Sequence, residues 1–235
     1  MFQFKQFNIL QDRCAMKIGT DGVLLGAWCP IDNNPKIILD IGTGTGIIAL
    51  MLAQRTDAIQ IDAIEIEENA FEQATDNFEN SIWADRITCY HAGLDELVDE
   101  PDDEYDLIVC NPPFYSEDFK TGDERRDAAR FQDAMPFEEL VDAAHLLLSE
   151  NGIFAVIIPF KEEDKFIDLC ANCELFPINV TRVKGNLTSE IKRSLLAFKR
   201  YELPILTTSQ LVIEVNRNEF TVDYINLTKD FYLKM

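Results

Sequence analysis

Basic residues are scarce. Only 21 Lys and Arg stand against 42 Asp and Glu in 235 residues, a formal charge of −21. That balance argues against generic nucleic-acid binding and leaves only a local basic face as a route to a polyanion. Histidine is rarer still, with His91 and His145 alone, and their positions favour structural roles. The six cysteines are irregularly spaced, unlike a disulfide framework, and read as reduced thiols. Cys170-Ala-Asn-Cys173 lacks a second ligand pair, so it reads as incidental and no metal is expected. No apolar run approaches the roughly 20 residues of a membrane helix. Met1 to Phe7 has neither an apolar core nor a small-residue cleavage site. No membrane partner or secretory leader is therefore expected, and the expected location is cytoplasmic. HExxH, GxSxG and GxxxxGK[ST] motifs are all missing, which removes three common routes to hydrolysis and phosphate chemistry.

What is present is ordinary for a folded protein: 47% hydrophobic and 27% charged residues, too apolar for a disordered chain. The length fits one large domain. It is read as a single unit over 1–235 with residues 1–30 as an N-terminal lid-like segment, and as a monomer. The charge is uneven. Residues 57–106 hold 17 acidic side chains and one basic one, Arg86. Residues 180–200 hold Arg182, Lys184, Lys192, Arg193, Lys199 and Arg200 against the single Glu190. The acidic run Asp99 to Asp106 reads as a solvated loop before a strand.

Hydrophobic periodicity sets the order of elements. Ile37 to Ile41, Ile59 to Glu65, Ile87 to Tyr90, Tyr105 to Cys110 and Ile153 to Ile158 are short β-branched or apolar runs, expected as buried strands. Helical spacing marks Gly46 to Arg55, Glu67 to Asn80 with Ala70, Phe71, Ala74 and Phe78 aligned, Phe137 to Leu148, and Glu162 to Cys173. Strands alternating with helices predict a mostly parallel sheet covered on both faces. After residue 175, Asn179 to Lys184, Ser194 to Lys199 and Leu211 to Val215 predict an antiparallel end, and Tyr224 to Tyr232 a terminal helix. Thr20 or Asp21 is expected to cap a short helix carrying Val23, Leu24, Leu25 and Trp28.

Asp40-Ile-Gly42-Thr43-Gly44-Thr-Gly46 sits at a strand-to-helix junction. Glycines there allow a tight turn and close approach of a ligand. The spacing is G-x-G-x-G, with Ile47 where the dinucleotide fingerprint G-x-G-x-x-G places its third glycine. Glu65 ends the next strand, 19 residues beyond Gly46, where a carboxylate can accept hydrogen bonds from two ribose hydroxyls. Together they indicate a nucleoside-containing cofactor.

Asn111-Pro112-Pro113-Phe114 ends the strand Tyr105 to Cys110. Paired prolines stop the strand with fixed φ. The Asn111 amide carbonyl and the Pro112 backbone carbonyl are two acceptors able to converge on a primary amine or amide. Phe114 offers a face for a planar substrate. A plain Asn-Pro turn capping a strand is the alternative for this tetrapeptide alone.

The glycine loop resembles the first motif of class I S-adenosylmethionine-dependent methyltransferases, and the tetrapeptide resembles the N/D-P-P-Y/F/W motif of their amino-methylating branch. The stretch Phe4 to Trp28, with Lys17, Gly19, Thr20 and Asp21, and the ending Tyr224 to Leu233 resemble the bacterial tRNA adenine-N(6) methyltransferases that modify the purine just 3′ of the anticodon in a valine tRNA. The likeness covers essentially the whole chain. It implies a Rossmann-like, doubly wound, mostly parallel sheet of seven to eight strands with an antiparallel C-terminal end. It also implies S-adenosyl-L-methionine as cofactor and tRNA as substrate. The cofactor residues it implies are Lys17, Thr20, Asp40, Gly42, Thr43, Gly44, Gly46, Glu65, Asp95 and Asn111. Asp95 stands for an acid after the third strand, where this chain reads His91-Ala-Gly-Leu-Asp95. Asn111, Pro112, Pro113 and Phe114 would align the amine and the base. Lys120, Arg125, Arg126, Arg130, Lys184, Lys192 and Arg193 would meet phosphates. Three other readings stay open: a release-factor-type protein glutamine methyltransferase, an rRNA amino-methyltransferase, and a nonenzymatic RNA-binding module. The glutamine enzymes carry a separate N-terminal helical domain, whereas here the glycine loop starts about 40 residues in.

Overall fold

The computed structural model describes residues 1–99, 104–113 and 135–234. It begins with an antiparallel ribbon of β1 (Phe2–Gln3) and β2 (Asn8–Ile9), followed by α1 (Thr20–Trp28). Five parallel strands come next: β3 (Ile37–Ile41), β4 (Gln60–Glu65), β5 (Ile87–His91), β6 (Tyr105–Cys110) and β7 (Leu148–Pro159). The helices accompanying them are α2 (Ile47–Arg55), α3 (Glu68–Glu79), α4 (Leu94–Asp99) and α5 (Phe137–Leu147). Then follow α6 (Glu163–Asn172), β8 (Phe176–Asn186), β9 (Ile191–Lys199), β10 (Thr207–Asn216), β11 (Glu219–Phe220) and α7 (Val222–Thr228).

The main sheet runs β11-β10-β8-β9-β7-β6-β3-β4-β5. Strand β9 is antiparallel to both β7 and β8, and β10 lies parallel to β8. The sheet thus has nine strands instead of seven or eight, because the two-residue β11 adds an antiparallel edge to β10. This is the doubly wound, mostly parallel architecture with a reversed strand near its C-terminal end.

Alternation along the strands divides the core. Leu107 and Val109 face the layer of α1, α2 and α3, while Ile108 and Cys110 face that of α4, α5 and α6. Both sets are fully buried, which is why these strands read as unbroken apolar runs. Helix α1 is buried from Gly22 through Ala27, so it is an interior helix with no wet stripe. A Cβ on Gly26 would sit 2.8 Å from the Met51 sulfur, which marks how closely α1 and α2 approach. Within residues 1–30, Phe4, Phe7 and Ile9 are buried in the same cluster. Phe4 stacks on Phe7 and lies against Tyr232, with which it forms an isolated antiparallel bridge.

Several expectations are corrected. Gly19 occupies the N-cap of α1 with no side-chain cap; Thr20 is the first helical residue and Asp21 instead accepts from Arg193 Nε at 2.8 Å. Helix α7 stops at Thr228, whose hydroxyl donates back to the Tyr224 carbonyl, and the chain turns before Tyr232. Phe71 is not part of the buried face of α3; it is half-buried and stacks on His91. Asp106 is not solvated loop: Oδ2 accepts from Lys36 and Ile37 N–H, and Oδ1 from the Ser149 hydroxyl. Its carboxylate therefore clamps the starts of β3, β6 and β7.

The lone base of the acidic quarter has a structural task. Arg86 donates to the carbonyls of Ala53, Thr56 and Ala58, closing the C-terminal end of α2. Among the described residues no helix is long and apolar enough to cross a membrane.

Gly46 has φ +79°, and a Cβ there would lie 2.4 Å from the Phe78 ring. Gly46→Ala is expected to cost about 1–3 kcal/mol of stability through strain and overpacking. Urea unfolding measures it, and an unchanged midpoint would contradict this packing.

Candidate active site

Three carboxyl ends of parallel strands converge on one edge of the molecule. The register pairs Ile41 at the end of β3 with Cys110 at the end of β6. The next residues are Gly42 and Asn111, so the glycine loop and the Asn-Pro-Pro segment leave neighbouring strands side by side, roughly 5 Å apart. On the other flank Ile41 pairs with Ile64, which brings Glu65 to the same edge.

The loop is held from β4. Thr43 N–H donates to the Ile64 carbonyl at 3.0 Å, and Gly44 N–H donates to Glu65 Oε2 at 2.9 Å. Glu65 Oε1 accepts from Glu67 N–H at 3.0 Å. Each Glu65 oxygen thus keeps capacity for a further donor. Gly42, Gly44 and Gly46 all have positive φ. Among the described residues, and apart from their own chain neighbours, no atom lies within 4 Å of where a Cβ on Gly42 or Gly44 would stand. These two therefore form an open cradle, whereas Gly46 is closed off by Phe78.

Beneath the cradle lies Asp40, completely buried. Oδ2 accepts from Thr43 Oγ1 at 2.6 Å and from Ala49 N–H at 3.1 Å. Oδ1 is buried with no hydrogen-bond partner among the described residues. Burial pushes this carboxyl up to about 7, against the hydrogen bonds from Thr43 and Ala49, and Glu65 adds to the rise. The Thr43 side chain is turned inward to Asp40, so its contribution to the cradle is through its backbone.

Residues 10–14 strap across the loop from the other side. Leu10 N–H donates to Asn77 Oδ1, and Asn77 Nδ2 donates to the carbonyls of both Leu10 and Thr45. Arg13 N–H donates to Gln73 Oε1, and the Arg13 guanidinium pairs with Glu72 and Asp76. Cys14 Sγ lies 3.8 Å from the Gly44 carbonyl. Burial, then Glu65 and Glu67, push the Cys14 thiol up to about 11, so it is an unreactive wall residue. Sequence reading missed Asn77, Gln73 and Cys14. The legible signal was two amides on the otherwise apolar buried face of α3.

Of the remaining candidates, Asn111 and Pro113 are partly exposed and Pro112 is buried. Lys17 is exposed in the coil before α1. Thr20 lines a separate cavity with Gly185 and Tyr224. Asp95 is exposed in the first turn of α4, its Oδ1 against Gly93. Phe114, Lys120, Arg125, Arg126 and Arg130 lie outside the described residues.

The basic stretch 180–200 is partly spent internally. Arg182 makes a two-pronged pair with the buried Glu163, which also accepts from the Ser194 hydroxyl. Arg200 donates to the carbonyls of His145 and Leu148, and Arg193 holds Asp21. Lys192 is exposed and Lys184 Nζ reaches the Leu187 carbonyl at 3.3 Å. Cys170 is buried and Cys173 donates to Asp142 from the end of α6. Among the described residues no group of three or more His, Cys, Asp or Glu is placed to hold a metal.

A folded-state pKa near 7 for Asp40, above the ordinary 3.8, means that its neutral form stabilises the fold. That contribution is full below pH ~4 and is lost as pH rises through ~7. Asp40→Asn keeps an acceptor for Thr43 and Ala49 without the charge. Between about pH 5 and pH 8, wild-type stability is expected to fall relative to this variant by on the order of 1–4 kcal/mol. Parallel urea-midpoint profiles would contradict the assignment.

Comparison with known proteins identifies the family. Residues 30–168 match the model of the Methyltransferase small domain. A tRNA1(Val) (adenine(37)-N6)-methyltransferase of Flavobacterium johnsoniae is 68% identical over 235 residues, covering 100% of both chains. The protein of the same name from Bacteroides fragilis is 42% identical, over 100% of this chain and 98% of its own. Among solved structures, a predicted O-methyltransferase from Agrobacterium tumefaciens shares the fold, with a TM-score of 0.70 at 18% identity, over 90% of this chain and 96% of that one. The chain belongs to the tRNA1(Val) (adenine(37)-N6)-methyltransferase family.

Proposed function

We propose that this protein transfers a methyl group from S-adenosyl-L-methionine to the exocyclic N(6) amine of adenine 37 in tRNA1(Val). The observation that carries the reading is the Ile41–Cys110 register, which starts a nucleoside cradle and an amine-binding segment from adjacent strand ends.

The residues present fit the cofactor. Gly42 and Gly44 leave open the space that side chains would fill, and Glu65 is placed to accept from ribose hydroxyls. Asp40 supplies an orphaned buried acceptor at the same loop. When bound, S-adenosylmethionine supplies an electrophilic methyl group on a sulfonium. The protein's own part is alignment and desolvation. An adenine amine is a weak nucleophile because its lone pair is delocalised into the ring. In this reading the Asn111 side-chain carbonyl and the Pro112 backbone carbonyl accept hydrogen bonds from its two N–H groups. That favours a pyramidal nitrogen, and the positive charge developing there is stabilised by the same acceptors. The methylated ammonium releases its proton readily, so no dedicated base is called for.

The target base must leave its stack to reach this edge. Phe114 is assigned as the stacking face, and Lys120, Arg125, Arg126 and Arg130, with Lys184 and Lys192, as phosphate contacts. The acidic quarter supports one direction of approach. It builds β4, α3, β5 and α4 at one side of the sheet, whereas β8 and β9 lie beyond β7 on the other. RNA is repelled from the first side and admitted on the second.

Purified protein and methyl donor are expected to place N(6)-methyladenosine in total tRNA from cells lacking the enzyme, read by nucleoside mass spectrometry and mapped to position 37. Asn111→Ala should lower turnover roughly 100-fold or more while donor binding by calorimetry persists. Methylation confined to a protein glutamine, or full turnover in the variant, would overturn the reading.

A further inference from the structure

A cavity of about 420 Å³ lies between the head of α1, the end of β8, β10 and the closing segment of the chain. Phe220, Tyr224 and Tyr232 form its aromatic walls, and Thr20, Gly185, Ile213 and Glu214 line the remainder. The walls are held from behind. The Phe220 and Tyr224 rings are 5.2 Å apart. Tyr232 in turn lies 5.6 Å from the buried Phe4 ring. Such a pocket is already shaped for a planar guest, and its volume suits a drug-sized or nucleoside-sized one.

Two further observations narrow the guest. Gly185 is near the carboxyl end of β8, a strand running in the same direction as β6, so the cavity belongs to the same end of the sheet as Asn111. Strands β6 and β8 are three spacings apart, roughly 14 Å. Lys184 stands next to Gly185, with Lys192 across the β8–β9 turn. A carboxylate among these cations, on the face where RNA is expected, repels phosphate. Glu214 Oε1 accepts from Asn218 N–H at 3.3 Å, and its other oxygen keeps capacity for N–H donors such as base edges present.

We propose that this cavity receives a second nucleobase of the substrate loop, unstacked against Phe220, which the buried Tyr224 backs, with Glu214 accepting N–H donors from its pairing edge. This deepens the activity proposed above and rests on it. The site reads the loop a short distance from the reacting adenine, so recognition depends on two bases leaving the stack together.

The test uses the full-length protein, wild type and Glu214→Gln, with an anticodon stem–loop RNA of tRNA1(Val). The RNA is supplied intact and with an abasic site at each loop position other than the target. Binding is followed by fluorescence anisotropy and methylation by steady-state kinetics. With the intact loop, Glu214→Gln is expected to raise Kd and KM roughly 5- to 50-fold, the effect falling on KM instead of kcat. One abasic position should abolish the difference between the two proteins. Phe220→Leu, checked for folding by its thermal midpoint, should show the same position dependence. Equal Kd values for wild type and Glu214→Gln, or a penalty that persists with every abasic RNA, would overturn the proposal. Because binding is read apart from turnover, an intact binding contrast without methylation would refute only the activity. Methylation without the contrast would refute only the cavity.

Discussion

The parallel pairing of Ile41 with Cys110 is the constraint from which the site follows. It is made of backbone hydrogen bonds between two strands buried on both faces, and a one-residue slip would turn every buried side chain to the wrong layer. The core therefore fixes the register, and the register fixes where Gly42 and Asn111 emerge. Everything local then refines that placement. Glu65 and the Ile64 carbonyl tie the loop to β4, Asp40 supports it from below, and Asn77 and Cys14 bound it on the N-terminal side. A functional edge built this way is positioned by strands and not by loop chemistry, which is the more accurate of the two.

The parts of this arrangement that were legible in the sequence are those with a short-range cause. Ile37 to Ile41 and Tyr105 to Cys110 agree residue for residue with the strands, since glycines and prolines end each abruptly. The glycine cradle and Glu65 were legible because their spacing repeats a physical requirement. Strand β7 was read too short because Ser149, Glu150 and Asn151 are polar. Their pairing is secured from afar, by Asp106 on Ser149 and Arg200 on the Leu148 carbonyl. Helix α4 was missed because its six residues are too few for helical periodicity to show, although the acids in its first turn suit a helix N-terminus. Nothing local announces the strap of residues 10–14, whose partners on α3 lie about 60 residues away.

Charge follows the same division between short and long range. Counted along the chain, residues 180–200 form a basic patch. Folded, Arg182, Arg193 and Arg200 are absorbed by Glu163, Asp21 and main-chain carbonyls. The patch that remains is lysine-rich and sits near the β8–β9 turn. Arginine is the side chain suited to fixed, multi-dentate internal bonds, and lysine to loosely held contact with a phosphate. The fold has sorted the two accordingly.

The bridge between Phe4 and Tyr232 joins segments more than 200 residues apart in sequence. The aromatic cluster of Phe2, Phe4, Phe7 and Tyr232 cannot be completed until all of the intervening chain has been synthesised. Contacts so distant in sequence carry the largest loop-closure cost and form late. The strap of residues 10–14 needs only α3 to be in place, so the cofactor edge gains this wall well before the aromatic cluster at Tyr232 can close.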